Sequence, residues 1–354
     1  MERIKKLRAV LRKEKLDAAL FFSAMGDPNY TYFSNTSAAG VLVISSTRQP
    51  LLITNRMEYH RVLSETWINN VLISDGKKLS TLIKEKLPGI KTVGINASGV
   101  SLSMFRHLKR NLKLKFRDIG AYCEELRAVK REEEIKLIEK ACRATTKVME
   151  SLVFSSCSTE ASLAAQINSK IIEKGMLNAF DTIVAAGTNS SIPHHLPGKS
   201  LLKGCCIIDF GANIAGYCSD FTRTLYFGKP NKQIKQAFGA VLNSLGAMLK
   251  LLKPGLRCSE IAKAGLKALR SYKRYVVHAF GHGVGLEVHE NPAIATTSKL
   301  IIKKGMVLAV EPGIYIPGRF GVRLEDTVLV TDSGAKVLTK SPRELRVISQ
   351  AQAR

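Results

Sequence analysis

The sequence predicts two domains, an α/β domain in residues 1–125 followed by an α+β domain in residues 126–354. Before the boundary, short apolar strands alternate with amphipathic helices, a pattern typical of a mainly parallel sheet. At Ala121–Arg131 the apolar pattern gives way to charged residues. After that, the strands gather in two blocks, 181–226 and 276–339. A chain of 354 residues is long enough to form two separate cores.

The elements of the first domain follow from the spacing of its apolar residues. Residues 1–16 place Ile4, Leu7 and Leu11 at helical spacing, which predicts an amphipathic helix. Apolar runs rich in β-forming residues predict strands, and stretches with helical spacing between them predict helices. The predicted strands are 18–22, 40–45, 51–54, 71–73 and 92–95, and the further predicted helices are 58–65, 79–87 and 102–112.

Four helices are predicted in the second domain, two before the first strand block and two between the blocks. They are 132–153, 160–174, 232–252 and 258–272. Ser158 or Thr159 is suited to cap the second of these helices. Two helices thus precede each block of strands, and the chain shows no strict sequence repeat.

The composition is that of a soluble globular protein, with 45% hydrophobic and 23% charged residues. No apolar run approaches the roughly 20 residues that span a bilayer, and the first residues lack the apolar segment of a signal peptide. We therefore expect a cytoplasmic protein without a membrane partner. The seven cysteines are an odd number without CxxC spacing, which favours buried reduced thiols.

The net charge of +25 raises the possibility of a nucleic-acid partner. However, the excess of basic residues is spread over both halves of the chain. The densest cluster fits a solvated helix face followed by a strand, and it consists of Arg106, Lys109, Arg110, Lys113, Lys115 and Arg117. No nucleic-acid-binding motif accompanies it, so we do not expect nucleic acid to be a partner.

Two aspartates flank a predicted turn in the first strand block. Asp209 and Asp220 lie on either side of Asn213–Gly216. If the centre of the hairpin falls between Ile214 and Ala215, the aspartates form a cross-strand pair with Cβ atoms roughly 4.5–5.5 Å apart. Like charges at that distance repel and favour protonation. A divalent cation between them would remove the repulsion.

The second strand block contains a similar pair of acids. Glu311 and Glu325 lie at equal distances from Gly318, at the centre of a turn that also contains Pro317. A hairpin centred there brings the two glutamates opposite each other. Two pairs of carboxylates in strongly apolar strands are costly to bury without a partner. The two hairpins therefore predict one site that contains four carboxylates.

Five of the seven histidines lie in two short stretches, one after a strand predicted at 181–186 and one in a glycine-rich segment. They are His194, His195, His278, His282 and His289. Gly281, Gly283 and Gly285 lie beside His282 at every second position. Because glycine has no side chain, the backbone there can approach another group closely. A single histidine is more often structural than a ligand, but this clustering favours a site.

Four carboxylates and one imidazole are too many ligands for a structural zinc and suit two hard or borderline divalent ions. Two such ions roughly 3.5–4 Å apart can lower the pKa of a shared water from about 15.7 toward about 7. Attack by the resulting bridging hydroxide would hydrolyse a polarised carbonyl or phosphoryl bond. The residues alone do not choose between these two reactions.

Seven short motifs occur in the order found in one known family. They are Pro193-His194, Asp209–Gly211, Ser219–Thr224, Gly281–Gly285, Val288–Glu290, Glu311–Gly313 and Arg323–Asp326. In this order they resemble the pita-bread metallopeptidases, which include Xaa-Pro aminopeptidases, Xaa-Pro dipeptidases (prolidases), methionine aminopeptidases and creatinase. The resemblance implies a pita-bread catalytic domain with pseudo-twofold β-hairpins in residues 126–354. It also implies a creatinase/prolidase-like N-terminal domain in residues 1–125.

The resemblance also implies which residues bind metal. Two divalent ions, Mn²⁺, Co²⁺ or Zn²⁺, would be held by Asp209, Asp220, His282, Glu311 and Glu325. Of these, Asp220 and Glu325 would bridge the two ions. Glu311 would also carry the proton between the bridging water and the leaving amine. A homodimer is implied as well.

Four further residues resemble those that surround the metals in this family. His194 and His289 resemble the residues that hold the substrate and stabilise the tetrahedral oxyanion. His278 and Arg323 resemble residues that support the metal ligands. All four lie in the quoted motifs or within four residues of one.

The branch of the family is indicated by departures from its patterns. Methionine aminopeptidases usually have a cysteine where this chain has Phe280. They also lack the creatinase-like first domain, whereas residues Asp27–Ser34 of this chain resemble the opening of that domain. Several dipeptidases carry an arginine that grips the substrate's carboxylate at the position of Ala293. We therefore expect an Xaa-Pro aminopeptidase that acts on short peptides with proline second.

Two alternatives stay open at this point. The first is an Xaa-Pro dipeptidase. The second is a metal-free member of the fold that serves as a binding or nucleic-acid-associated module, which the basic charge would suit. Such modules typically lose metal ligands, whereas all five are present here.

Overall fold

The structure is a computed structural model that describes residues 2–349. Contacts within the chain divide it into two compact units, Met1–Arg127 and Ala128–Arg354. The helix Gly120–Ala128 occupies the segment in which the sequence changes character. Among the described residues, no helix is long and apolar enough to cross a membrane. All seven cysteines lie in the described part of the chain and are free and buried, as predicted.

The first unit is a six-stranded sheet with helices between its strands. The strands are β1 (Ala18–Phe22), β2 (Gly40–Ser45), β3 (Leu51–Thr54), β4 (Val71–Ile73), β5 (Thr92–Ile95) and β6 (Lys115–Asp118). The helices are α1 (Glu2–Lys13), α2 (Pro28–Ser34), α3 (Tyr59–Glu65), α4 (Leu79–Lys86), α5 (Leu102–Asn111) and α6 (Gly120–Ala128). The predicted elements are observed with closely similar bounds, whereas two helices were not predicted. These are α2, which is short and rich in aromatic residues, and α6, which lies where the sequence analysis places the domain boundary. Asp27 caps α2 by accepting a hydrogen bond from the Asn29 N–H.

The sheet of the first unit has the strand order β4-β3-β2-β1-β5-β6. Three of its five pairings are parallel, namely β1–β5, β5–β6 and β3–β4. The other two pairings, β1–β2 and β2–β3, are antiparallel. The prediction of a mainly parallel sheet is therefore confirmed, with an antiparallel centre that the short connection between β2 and β3 makes possible.

The second unit contains two helix pairs and two blocks of strands. The helices are α7 (Glu132–Glu150), α8 (Glu160–Glu173), α9 (Lys232–Leu251) and α10 (Cys258–Ala268). The strands of the first block are β7 (Leu177–Asn178), β8 (Ile183–Ala186), β9 (Gly204–Asp209), β10 (Ala212–Ile214), β11 (Tyr217–Cys218) and β12 (Thr222–Phe227). Those of the second are β13 (Gly281–Gly283), β14 (Val307–Val310), β15 (Gly313–Ile316), β16 (Phe320–Arg323), β17 (Asp326–Thr331) and β18 (Gly334–Val337). A last strand, β19 (Val347–Ile348), pairs with β12 of the first block.

Each helix pair covers one set of strands and forms one core. Val148 of α7 and Ile167 of α8 pack with Ile208 of β9. Val241 of α9 and Ile261 of α10 pack with residues of β14, β16 and β17. The strand orders are β19-β12-β9-β8 in one sheet and β13-β14-β17-β18 in another. The repeated helix-pair and strand-block plan places the ends of β9 and β14 at the cavity described below.

The register predicted for the first hairpin is wrong. Ile214 pairs with Tyr217, so the centre of the turn lies between Ala215 and Gly216, and Asp209 pairs with Thr222 rather than with Asp220. Ala215 and Gly216 both have positive φ angles, 50° and 87°, as a two-residue type I′ turn requires. The observed partner of Asp209 lies two residues after the predicted one. Because side chains alternate between the two faces of a strand, residues two positions apart lie on the same face. The two aspartates therefore still share one face.

The register predicted for the second hairpin is confirmed. Gly313 pairs with Arg323 and Ile316 with Phe320, which places Gly318 at the centre of the turn. Gly318 has a φ of 66°, a conformation that glycine adopts without strain. The ladder extends as far as a hydrogen bond from the Leu324 N–H to the Pro312 carbonyl, next to the two glutamates.

Candidate metal centre

One cavity of about 340 Å³ gathers the nine residues to which the family resemblance gives a role at the site. The nine residues come from both strand blocks and from the loops beside them. They are His194, Asp209, Asp220, His278, His282, His289, Glu311, Arg323 and Glu325. His195, the neighbour of His194, does not line this cavity and instead contacts Glu160. The apolar part of the wall includes Phe180, Ile183 and Val288.

The acidic residues are close enough to share ions. Ligand oxygens of Asp209, Asp220 and Glu325 all lie within 4.8 Å of one another. The Nε2 atom of His282 is 3.5 Å from Asp220 Oδ2 and 3.5 Å from Glu311 Oε1. These five residues therefore form a continuous group, in which Asp220 faces both the other acids and the histidine.

Burial and mutual repulsion make this group costly without a cation. Burial, followed by the charge of Glu325, raises the pKa of Asp220 well above its usual value. Burial and the charge of Asp209 raise the pKa of Glu325 well above its usual value and that of Glu311 to about 8. One buried oxygen each of Asp209, Asp220 and Glu325 has no hydrogen-bond partner. Buried carboxylate oxygens without a hydrogen-bond partner are suited to bind divalent cations, which would take the place of that partner.

The hydrogen bonds of His282 leave one of its nitrogens available as a ligand. Its Nδ1 atom is 3.1 Å from the Gly283 carbonyl, which can only accept, so Nδ1 carries the proton. Burial and the nearby His289 lower the pKa of His282 to about 4, so the ring is neutral. Its Nε2 lone pair therefore points toward Asp220 and Glu311, the usual arrangement of a metal-binding histidine.

The glycines beside His282 serve the packing of strands. A Cβ atom at Gly281 would lie 2.1 Å from the Ala309 carbonyl oxygen, and one at Gly283 would lie 2.4 Å from the Asn291 carbonyl oxygen. The close approach that the sequence predicts is therefore to neighbouring backbone. It lets β13 pair with β14 and hold His282 in the cavity.

A buried arginine orients Asp209. Arg323 donates hydrogen bonds to Asp209 Oδ2 at 2.6 Å, to the Tyr315 hydroxyl at 2.5 Å and to Thr222 Oγ1 at 3.3 Å. Thr222 in turn donates to Glu325 Oε2 at 2.7 Å. The sequence predicts a role for Arg323 but misses Tyr315 and Thr222. A buried tyrosine resembles any core residue, although Thr222 could be found as the residue two positions after Asp220 on the same face.

His278 continues the same chain of hydrogen bonds. Its Nδ1 atom is 2.6 Å from the Ala279 carbonyl and therefore carries a proton, while its Nε2 atom is 2.8 Å from the Tyr315 hydroxyl. Burial lowers the pKa of His278 to about 4, so Nε2 is unprotonated and accepts from Tyr315. The hydroxyl of Tyr315 thus accepts from Arg323 and donates to His278, which fixes the positions of all three side chains.

His194 and His289 lie at the wall of the cavity and are exposed. The ring of His289 is 4.2 Å from that of His282, and its ligand atom lies within 4.8 Å of those of Asp220 and His282. Desolvation lowers the pKa of His289 despite the opposing charge of Asp209. An imidazole at either position can donate a hydrogen bond to a substrate bound in the cavity.

The segment that precedes His289 is held by a buried ion pair. Glu290 accepts hydrogen bonds from the N–H groups of Leu286 and Glu287 and pairs with Lys130 at 2.9 Å. The side chains of Lys130 and Glu290 are 1% and 2% exposed. Removing one partner would leave a buried charge, which is strongly destabilising. The position of His289 therefore depends on contacts outside the cavity.

The stability of the metal-free chain should depend on pH. Because the folded-state pKa of Glu311 is raised from 4.5 to about 8, the folded chain binds more protons than the unfolded chain between these values. The free energy of unfolding therefore falls as the pH rises through this window. We expect chemical denaturation in EDTA to show lower stability at pH 8 than at pH 5. Saturating Mn²⁺, which binds the ionised carboxylates, should reduce this difference; stability that rises with pH in EDTA would contradict the expectation.

The comparisons with known proteins agree with this geometry. Residues 136–332 match the sequence profile of metallopeptidase family M24, and residues 3–129 match that of the creatinase/prolidase N-terminal domain. An Xaa-Pro dipeptidase of Pyrococcus horikoshii is 34% identical over 353 residues, which cover 97% of this chain and 98% of the relative.

Two solved structures are also similar over nearly the whole chain. An X-Pro aminopeptidase of Thermotoga maritima has a TM-score of 0.88 at 32% identity and covers 94% of this chain and 98% of its own. An Xaa-Pro dipeptidase of Bacillus anthracis has a TM-score of 0.92 at 30% identity and covers 98% of this chain and 99% of its own.

Proposed function

Because the chain belongs to metallopeptidase family M24 and is a metal-dependent hydrolase, we propose that it removes the N-terminal residue from short peptides with proline at the second position. The supporting relatives are named for Xaa-Pro substrates, some as dipeptidases and one as an aminopeptidase. The metal-free binding module is set aside, since the complete ligand group lies in one cavity and retains unpartnered buried oxygens.

The observation that carries the aminopeptidase proposal is the wall of the cavity at Ala293. Among the described residues that line the cavity, Arg323 is the only lysine or arginine, and it already binds Asp209 and Tyr315. Ala293 offers no charge for a dipeptide's free carboxylate, which lies directly after the proline. A longer peptide has an amide there and needs no cation. The mostly apolar wall formed by Phe180, Ile183 and Val288 suits a proline ring.

The proposed mechanism assigns a task to each group of residues. Two divalent ions, Mn²⁺, Co²⁺ or Zn²⁺, held by the ligand group would activate water as a nucleophile and polarise the scissile carbonyl. Glu311 accepts the proton that this water loses and passes it to the nitrogen of the leaving proline. His289 and His194 donate hydrogen bonds to the substrate's carbonyl oxygen as it gains negative charge.

The surrounding residues keep these groups in place. Arg323, Tyr315 and His278 hold Asp209 through the chain of hydrogen bonds described above. The Xaa-Pro bond is a tertiary amide without an N–H group. The proposed catalysis does not require a hydrogen bond from a peptide N–H, because it acts on the carbonyl group of the scissile bond. The number of ions, the homodimer and the cytoplasmic location remain predictions.

The second candidate, an Xaa-Pro dipeptidase, is favoured by the name of the Pyrococcus horikoshii relative. We expect kcat/KM for Ala-Pro-Ala to exceed that for Ala-Pro by at least about tenfold. The free carboxylate of the dipeptide finds no cation at Ala293, and the charge-assisted hydrogen bond that it lacks there is worth roughly 1.5–3 kcal/mol. Kinetics with both peptides in Mn²⁺ measure this ratio. A higher kcat/KM for the dipeptide would favour the second candidate.

An arginine at position 293 should shift the preference of the enzyme toward dipeptides. Ala293→Arg should raise kcat/KM for Ala-Pro by about tenfold relative to Ala-Pro-Ala, because the guanidinium can bind the dipeptide's carboxylate. Ala293→Met is the matched control, with a long side chain but no charge. An equal change in both variants would mean that bulk, rather than charge, alters the preference.

A further inference from the structure

A fully buried glutamate, Glu160, lies outside the cavity and beside the loop that carries His194. Glu160 is the first residue of α8, and it has 0% of its surface exposed. It does not line the cavity and is not one of the metal ligands. A buried carboxylate that takes no part in the metal centre requires another explanation for its position.

The carboxylate of Glu160 accepts hydrogen bonds from both ends of one loop. Its Oε1 atom accepts from the Ala186 N–H at 2.7 Å and from Asn189 Nδ2 at 2.9 Å. Its Oε2 atom accepts from His195 Nε2 at 2.8 Å and from the Gly198 N–H at 3.2 Å. The two oxygens thus fasten the beginning and the end of residues 186–198, which we call the His194 loop.

The carboxylate is held in its charged form. Burial opposes ionisation, but the hydrogen bonds from Ala186, Asn189, His195 and Gly198 outweigh it and lower the pKa of Glu160. Glu160 also lies in the first turn of α8, where the positive end of the helix dipole favours a negative charge. A charged acceptor with four donors makes stronger bonds than a neutral one.

The opposite side of the loop meets β16, the strand that carries Arg323. The Pro193 carbonyl accepts from Arg323 at 3.4 Å, and Ser190 Oγ accepts from the Gly321 N–H at 2.9 Å. Between these contacts the loop has one 3₁₀ turn, Gly187–Ser191, and otherwise irregular backbone. Irregular backbone takes its shape from such contacts, so the position of His194 depends on both sides.

We propose that Glu160 is a positioning residue for His194: its carboxylate fixes both ends of the loop and thereby holds the imidazole against the substrate. The proposal rests on the proposed function, in which His194 binds the substrate's carbonyl oxygen. Glu160 does not line the cavity, so it acts through the loop.

The first test is Glu160→Gln, which keeps the size of the side chain but places an NH₂ group where the loop presents donors. We expect kcat/KM for Ala-Pro-Ala to fall by about 10–100-fold, the range typical of residues that orient a functional group. Metal stoichiometry should not change. Glu173→Gln is the matched control, because Glu173 is an exposed glutamate at the other end of the same helix.

A second readout does not need turnover. Lys199 is exposed directly after the loop, so trypsin reports how well the loop is held. Cleavage after Lys199 should be faster in Glu160→Gln than in the wild type and in Glu173→Gln. This readout separates the two ideas: a wild type that does not cleave Xaa-Pro peptides overturns the proposed function, whereas unchanged trypsin cleavage overturns the role of Glu160.

A double-mutant cycle tests whether Glu160 acts through His194. In a His194→Ala background, Glu160→Gln should change kcat/KM by less than about twofold, because coupled substitutions are not additive. The milder substitution His195→Ala removes one of the four donors, so it should lower kcat/KM less and show the same lack of additivity with His194→Ala. It replaces Glu160→Gln in the cycle if that variant does not fold. Additive effects of either variant with His194→Ala would overturn the proposal.

Discussion

Asp220→Asn is expected to abolish metal-dependent turnover, with kcat/KM lowered by at least about 10³-fold, or about 4 kcal/mol of transition-state stabilisation. Asp220 is the residue that faces the other carboxylates and His282 at once. Asparagine has nearly the same shape but one oxygen and no charge, so it cannot bridge two cations. The measurement is steady-state kinetics with Ala-Pro-Ala in Mn²⁺.

The same substitution should have opposite effects on stability with and without metal. In EDTA, Asp220→Asn should raise Tm, because it removes one of the buried carboxylates that repel each other. In Mn²⁺ it should reduce the increase in Tm that the metal produces. Asp332→Asn, at a carboxylate with 76% of its side chain exposed, is the matched control. A full metal-induced increase in Tm in Asp220→Asn would contradict its assignment as a bridging ligand.

Glu311→Gln is expected to lower kcat by about 10²–10⁴-fold, the range associated with a general acid–base group. Its carboxylate lines the cavity beside His282, and burial raises its pKa to about 8 in the metal-free chain. Glutamine retains an oxygen that can bind metal but cannot take up and release a proton. Kinetics across the pH range, with metal binding measured by calorimetry, separate the loss of proton transfer from the loss of metal.

The control for this prediction is Glu344→Gln, at an exposed glutamate that does not line the cavity. It should leave kcat close to that of the wild type. If Glu311→Gln keeps more than about a tenth of wild-type kcat while binding metal normally, Glu311 does not carry the proton. If it loses metal binding as well as kcat, its role as a ligand accounts for the loss.

Most of the fold could be predicted from the sequence because its elements have clear apolar periods. The strands at 18–22, 40–45 and 51–54 are observed with the predicted bounds. The similarity to solved structures confirms the α/β N-terminal domain followed by a pita-bread domain. The α2 helix is missed because its residues, Pro28–Ser34, are aromatic and polar and show no helical apolar period, although the Asp27-Pro28 start is a helix signal.

The register of the first hairpin could not be predicted from the spacing of its acids. Symmetry about the aspartates places the turn centre before Ala215, whereas positive φ angles at Ala215 and Gly216 place it after Ala215. Alanine rarely adopts that conformation, so the sequence gives little sign of it. In the second hairpin, Gly318 marks the centre directly, and the prediction holds.

The residues around the ligands were harder to predict than the ligands themselves. Carboxylates and histidines in apolar strands stand out by chemistry, whereas Tyr315 and Glu160 resemble an ordinary core tyrosine and an ordinary helix-start glutamate. Only the fold shows that Tyr315 contacts Arg323 and that Glu160 reaches the His194 loop. Contacts between residues distant in sequence leave no local pattern from which they could be inferred.

The most direct test of a metal-dependent Xaa-Pro peptidase compares Ala-Pro-Ala with Ala-Ala-Ala, using protein stripped of metal and then titrated with Mn²⁺. We predict no cleavage in EDTA, recovery of alanine release from Ala-Pro-Ala as two ions bind per chain, and a much lower rate with Ala-Ala-Ala. Equal rates on both peptides would contradict the proposed specificity for proline. Cleavage of Ala-Pro-Ala that persists in EDTA would contradict the metal centre itself.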